Sequence, residues 1–412
     1  MNDATQLPKG ALEGIRVIEW AHAHMGPGGG MLLADLGAEV IHVEPPVIGD
    51  MMRRFTRVFG ADFALPKGRN AFVEDINRNK KSIAVDLETD EGKEVIYQLV
   101  AKADVFLTNM RPRAVDKLRM DYDTLAAINP KLIYCHGSGY GDRGPERDSP
   151  GLEIIGLARG GIMLGSAFKE GPPVYPTVSV VDRLGGFGIG FAILSALVAR
   201  ERFGIGQRVS TSMLGWAINL QGVAVALAAN TGQDPRPIPR EETHDPLWNV
   251  YKCKDGVWIA LGMIIQGEKF WPKLCEAIRR PDLENDPRFA TQKLREENRR
   301  QLIELFDQTF AQIDSEEWIR LSKENDFIGS KVNTLVDLAE DEQVLANEYI
   351  VEQDHPVLGR WKYVPTPVYL SKTPVRVHSA APELGEHTKE ILTETLGYSS
   401  EEVAELSRKK VI

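Results

Sequence analysis

The first half of the chain alternates two hydrophobic rhythms. Short apolar runs stand at IRVIEW (15–20), EVIHVE (39–44), SIAVDL (82–87), DVFLTN (104–109) and KLIYCHG (131–137). Such runs, rich in β-branched residues, read as buried strands. Between them apolar positions recur at helical spacing. EGKEVIYQLVAKA (91–103) puts Val95, Ile96, Leu99 and Val100 on one face. AVDKLRMDYDTLAAI (114–128) reads as one helix ended by Asn129-Pro130. Helices are also predicted over 183–201 and 213–230. Strands alternating with helices predict an α/β fold, a parallel sheet with helices on its faces.

The rhythm breaks twice. Residues 137–182 are rich in Gly, Pro and charge, and long loops on such a sheet line sites. TGQDPRPIPREETHDP (231–246) reads as a linker. Beyond it, WNVYKCKDGVWIAL reads as a hairpin turned at Lys254-Asp255-Gly256, followed by charged helices. This predicts a smaller α+β module over about 245–330, with mixed elements over 331–412.

Composition narrows the function. With 412 residues, 43% hydrophobic and 26% charged, the chain has material for two or three globular domains. A net charge of −10 argues against general nucleic-acid binding, which needs a basic face. The three cysteines, Cys135, Cys253 and Cys275, are far apart and suggest no metal or disulfide framework. The apolar run 187–199 is short for a membrane span and reads as a buried helix. No basic-then-apolar leader stands at the start. A reduced, cytoplasmic setting is the expectation, with no membrane or nucleic-acid partner.

Two stretches carry candidate chemistry. HAHMGPGGG (22–30) follows the first strand like a nucleotide-binding glycine turn. The dinucleotide fingerprint fails, however, because its third glycine falls on Met31 or Leu33. A packing turn and an anion-holding helix start both remain open. Asp182 stands where TVSVV gives way to a helix carrying Gly185, Gly186, Gly188 and Gly190. Asp is a favoured cap. Each interior glycine costs about 1 kcal/mol relative to alanine, so something must approach closely, either a partner helix or a ligand. A desolvated carboxylate held ionised by a helix dipole can also act as a nucleophile.

Taken together, these stretches resemble the class III CoA-transferases. LEGIRVIEWAHAHMGPGGGMLLADLGAEVIHVEPP is similar to the family's opening, NRNKKSIAVDL through KLIYCHGSGYGDRGP to its middle, GPP followed by Asp182 to its catalytic segment, and APELGEHTKEIL to its end. The resemblance implies transfer of CoA from an acyl-CoA thioester to a free carboxylic acid, by an anhydride and then a CoA thioester on Asp182. Glu153 falls where relatives carry an acid near that nucleophile, and His24 where formyl-CoA transferase carries glutamine. His22, Met25, Val85, Asn109, Arg111 and Lys117 match CoA-contacting positions, with Lys80, Lys81 and Arg113 adding charge nearby. Pro45 and Glu88 replace basic residues of formyl-CoA transferase, and THDPLWN (243–249) replaces its glycine-rich lid, so His244 and Trp248 are candidates to border an acyl pocket. Leu152 stands where the racemases of the superfamily carry a histidine. The implied architecture is a Rossmann-like large domain (1–230 with 331–412) plus a linker and small domain (231–330), in an interlocked dimer or a heteromer with a homologous chain. CoA is implied as substrate and product, with no tightly bound cofactor and no metal.

Overall fold

The computed structural model describes residues 10–58, 60–176, 179–263 and 267–412. Strands β1 (Arg16–Trp20), β2 (Glu39–Glu44), β3 (Lys80–Ala84), β4 (Val105–Thr108), β5 (Ile133–Ser138) and β6 (Gln207–Ser212) form one sheet in the order β3-β2-β1-β4-β5-β6. Every neighbouring pair is parallel. This is the Rossmann strand order, which reverses between β1 and β4. Ligands of such sheets bind in the crevice beyond the C-terminal ends of the strands at that reversal. β6 lies outside the predicted set. Its burial alternates and its sequence, QRVSTS, has no apolar run to announce it.

The helices depart from the pattern in instructive ways. Helix α1 (Met25–Asp35) contains the whole glycine run, so Gly26 to Gly30 form buried helical turns and not a loop. Helix α2 (Asp90–Val100) keeps the expected buried face and is capped by Thr89. The helix expected over 114–128 is two, α3 (Pro112–Leu118) and α4 (Tyr122–Ile128). Arg119 takes a left-handed conformation between them and Asp121 caps the second. The long loop holds α5 (Glu153–Arg159) before α6 (Val180–Phe203). The helix expected over 213–230 breaks by 82° into α7 (Met213–Leu220) and α8 (Gly222–Thr231).

The glycines of α1 and α6 face each other. A Cβ at Gly186 would lie 3.2 Å from the Gly29 nitrogen, and one at Gly185 would lie 2.8 Å from Met25 Cε. A Cβ at Gly29 would run into Ile189, and one at Gly190 would sit 3.3 Å from Leu32. Contacts advance together along both helices, so the two run side by side in the same direction. Their N-termini therefore share the C-terminal edge of the sheet. A partner helix, and not a ligand, accounts for most of these glycines; Gly188 instead leaves room for Trp216. By length and composition α6 could cross a membrane, but half of its apolar window is buried. Its other face exposes Phe191 and Val198, so the expectation of a buried helix holds on one side only.

The chain divides into two compact units. The large one runs to Ser166, resumes over Pro173–Pro235 and takes in Leu345–Ile412. The C-terminal Ile391, Leu392, Leu406 and Val411 share its core with Ile18, Ile41, Ile83 and Phe106. The small unit is Arg236–Val344 with Ala167–Pro172, so it reaches past the boundary read at 330 and draws in a hexapeptide from the first half. It is α+β. Antiparallel strands β7 (Trp248–Lys252), β8 (Trp258–Gly262) and β9 (Gly329–Lys331) pack with helices around Tyr251, Trp271, Phe306, Phe310 and Trp318.

Gly30 and Gly28 make a controlled pair. A Cβ at Gly30 would strike the Glu19 carboxylate, whereas one at Gly28 meets nothing within 4 Å. Gly30→Ala is expected to cost about 3 kcal/mol or more in a urea unfolding titration. Gly28→Ala is expected to be neutral or to stabilise by up to about 1 kcal/mol.

Candidate active site

Asp182 is the third residue of α6, inside its first turn, so of the two readings left open by the sequence the cap does not hold. It stands three and four residues before Gly185 and Gly186, on the face those glycines turn toward α1. It therefore lies one turn above the contact with Met25, at the N-terminal end of α1. Glu153, the first residue of α5, accepts the Val181 N–H at 3.3 Å and the Asp182 N–H at 2.8 Å. A helix's first amides lack partners within the helix. Here a carboxylate from another element supplies one, and two acids share one helix end. Burial, and then the Glu153 charge, push the Asp182 carboxyl up to about 7. Burial also raises Glu153, against the pull of its backbone bonds. Tyr175 is a third member. Its hydroxyl is pushed up to about 12 by burial and by the charges of Glu153 and Asp182.

The crevice at the strand reversal gathers most of the other candidates. Asn109, just beyond β4, accepts the His22 N–H at 3.0 Å and donates to the His22 carbonyl at 2.8 Å. It thus ties the loop after β1 to the loop after β4. His22 is exposed and lies in the field of Asp50 and Arg111. Arg111 is exposed and caps α3, whose first residue is Pro112. His24 is 5% exposed, meets Phe72 edge-on, and leaves Nδ1 without a hydrogen-bond partner among the described residues. Burial, with Arg183 nearby, pushes it down to about 4. At neutral pH it offers a hydrogen bond and no charge. Met25 is packed under the crevice against Gly185 and Gly137, and Val85 lies in the core, so Val85 presents backbone only.

Several charges read as ligand contacts have internal partners. Lys80 is fully buried, donating to Glu19 at 2.9 and 3.0 Å, to the Pro27 carbonyl at 2.8 Å and to Asn77 at 2.9 Å. Lys81 pairs with Glu39 and Glu390 at 3.0 and 2.8 Å. Both open β3, at the edge of the sheet away from the crevice; Lys81 stays there, whereas the Lys80 ammonium reaches the first turn of α1 and is paired there with Glu19. Lys117 is exposed and pairs with Glu88 at 2.9 Å, the acid that stands where a relative has a base. Glu44, at the end of β2 where a dinucleotide fold carries its ribose-binding acid, is buried and held by Arg53 at 2.7 Å and Ser82 at 2.6 Å, in line with the failed glycine fingerprint. Within the small unit, Trp248 is 57% exposed and borders an open cavity of about 880 Å³ with Phe168, Ile238, Leu261 and Ile328. His244 is exposed and does not line it.

Residues 12–388 match the sequence profile of CoA-transferase family III. The chain belongs to that family. It is 34% identical over 417 residues to the succinyl-CoA–D-citramalate CoA-transferase of Chloroflexus aurantiacus, covering 99% of this chain and 100% of that one. It is 31% identical over 404 residues to the (R)-2-hydroxy-4-methylpentanoate CoA-transferase of Clostridioides difficile, covering 97% and 99%. Among solved structures, a CaiB/BaiF family protein from Brucella suis superposes with a TM-score of 0.82 at 29% identity, covering 94% and 100%. Class III CoA-transferases take CoA as a substrate.

Sequence reasoning missed two residues of the candidate site. Tyr175 follows the GPP motif by two positions, and nothing in its type marks it. Asp50 lies in a loop after β2 and reaches back to the Ala23 amide at 3.1 and 3.2 Å. Its only signal was an acid beside Gly49 in an otherwise apolar loop.

The raised Asp182 makes a stability prediction. The folded protein holds its proton where the unfolded chain, at an ordinary carboxyl value, has lost it, so ionising Asp182 opposes folding. Stability from this group declines as pH rises from about 4 to about 7. Asp182→Asn should melt above the wild type at pH 8, and the gap should close as pH falls toward about 4, read by thermal denaturation across pH.

Proposed function

We propose that the chain moves CoA from an acyl-CoA to a free carboxylic acid by covalent catalysis on Asp182. The observation that carries this reading is an aspartate at a helix N-terminus, raised to about 7 and paired with Glu153, beside the crevice of a Rossmann-type sheet. An Asp182 oxygen attacks the thioester carbonyl, and CoA thiolate leaves a mixed anhydride. The thiolate then attacks the Asp182 carbonyl and releases the donor acid, giving an aspartyl-CoA thioester. The acceptor carboxylate attacks that thioester, forming a second anhydride and thiolate. Attack of the thiolate on the new acyl carbonyl yields product and restores the carboxylate. A raised carboxyl value supports this role twice: the group is near its ionisation point at neutral pH, and a poorly solvated carboxylate is a stronger nucleophile.

Glu153 acts through Asp182. It fixes the first turn of α6 and tunes the nucleophile's charge. Leu152 beside it has no proton to exchange, which favours transfer over racemisation at an α-carbon. The assembly reading, an interlocked pair or a homologous heteromer, draws support from Phe191 on α6 and Val223 on α8, exposed at 67% and 88%. Relatives named for citramalate and for 2-hydroxy-4-methylpentanoate point to a short, substituted acid as acceptor.

Incubation with a panel of acyl-CoA esters, quenching with hydroxylamine and mapping by mass spectrometry should find the modification at Asp182. A label elsewhere, or retained transfer in Asp182→Ala, would overturn the mechanism; the expected loss is about a thousandfold or more. The rate should also fall as pH drops below about 7, because the acid must be ionised to attack. Glu153→Gln keeps an accepting oxygen for the α6 amides but removes a neighbouring charge, so the same limb should move to lower pH.

A further inference from the structure

The loop between β1 and α1 has an unusual shape, and Asp50 holds it. Ala23 has φ 61°, in the left-handed region that disfavours every residue with a Cβ. Its N–H donates to both oxygens of Asp50, at 3.2 and 3.1 Å. Asp50 is 3% exposed and is itself fixed. It accepts the Met52 N–H at 2.7 Å, and its own N–H donates to Glu44 at 2.9 Å, an acid already held by Arg53. His42 Nε2 stands 3.8 Å from its other oxygen. On the far side of the loop, Asn109 ties down both ends of the His22 peptide.

These two clamps decide which amides remain. The His22 and Ala23 N–H groups are taken. Pro27 has none, and the first bond within α1 is Gly28 N–H to the His24 carbonyl at 2.9 Å. That leaves the amides of His24, Met25 and Gly26 as first-turn donors of α1. His24 itself is 5% exposed, and its Nδ1 has no hydrogen-bond partner among the described residues. Asp182 stands one turn above Met25. The start of α6 has its amides covered by a carboxylate, whereas the start of α1 has no such acceptor among the described residues.

We propose that Asp50 is a positioning residue: by holding Ala23 left-handed, it sets the open amides of α1 against the carbonyl oxygen of the group reacting at Asp182. When the Asp182 oxygen adds to that carbonyl, its π electron pair moves onto oxygen, and it returns as CoA thiolate departs. Donors fixed in advance stabilise the charge during that interval. The proposal rests on the Asp182 mechanism, and it assigns to Asp50 a role that Asp50 fills without touching substrate.

The test is a rescue. Asp50→Ala, Ala23→Gly and the double variant are compared with wild type, with succinyl-CoA as donor and the trapped loading rate of Asp182 as readout. Glycine takes the left-handed conformation freely, so it removes the need for the clamp. Asp50→Ala should lose about tenfold or more in loading rate, with the donor concentration for half-saturation changed by less than about twofold. The double variant should return to within about threefold of Ala23→Gly alone. An equal loss in both backgrounds, or no loss in Asp50→Ala, overturns the proposal. Hydrogen exchange over residues 21–26 separates this from failure of the mechanism. If no acyl-CoA of the panel loads wild type at Asp182, the mechanism has failed. The clamp is then judged by whether Asp50→Ala speeds exchange of this peptide by about tenfold while α2 stays protected. Unchanged exchange sinks it.

Discussion

The backbones of α1 and α6 touch, and the site depends on that contact. Gly186 approaches the Gly29 nitrogen as closely as a Cβ could tolerate. Interior glycines cost helix stability, about 1 kcal/mol each. What offsets them is an interaxial approach that larger residues would forbid. The consequence is positional. Two helix N-termini are held side by side at the C-terminal edge of the sheet, and a residue one turn above the contact on α6 overlooks the start of α1. Asp182 is that residue.

The two neighbouring helix ends are treated oppositely. The first turn of α6 carries one acid, and a second acid, Glu153, accepts its amides. The dipole of α6 favours the ionised form of both. Burial and mutual repulsion oppose it, and for Asp182 they win, leaving the carboxyl at about 7. The first turn of α1 carries no acid at all, and the neutral His24 precedes it. One end thus supplies a reluctant anion, and at the other no acceptor meets the first N–H groups among the described residues. An acyl carbonyl between them would meet a nucleophile on one side and donors on the other. This is the polarity that acyl transfer requires, and it arises from which amides are covered.

The sheet was legible because its strands are buried on both faces and therefore read as apolar runs. β6 was not, since none of its residues is fully buried and no apolar run forms. Asp182 was legible as an acid where a strand gives way to a helix, and Glu153 only through the family resemblance; the structure puts them at one helix end. Helix α1 was misread because glycines spell a turn in one dimension; only the facing glycines of α6, some 150 residues on, show them to be a packing surface. The basic residues were misread for a similar reason. A lysine's type says nothing of which end of a strand it occupies. Lys80 and Lys81 open β3 and are matched by Glu19, Glu39 and Glu390, from elements distant in sequence. Ala23 gave no signal, because a left-handed alanine looks like any other until its amide finds Asp50.

That last point bears on why an alanine stands there. Glycine would adopt the turn without a clamp, yet it would also leave it freely. An alanine held by a buried, bidentate carboxylate has fewer alternatives in the folded state, since release costs the hydrogen bonds and leaves Asp50 buried with fewer partners. The strain at Ala23 and the burial of Asp50 are each unfavourable alone. Together they fix a loop that the strand reversal places at the mouth of the crevice, and Asn109 locks its other peptide to β4. Rigidity at this position has chemical value, because donors that must reorganise as charge develops stabilise it less than donors already in place. The fold thus accepts two local costs, facing glycines and a left-handed alanine, at the two segments that flank Asp182. Both act on the same quantity, the distance and direction between the Asp182 carboxyl on α6 and the amides at the start of α1.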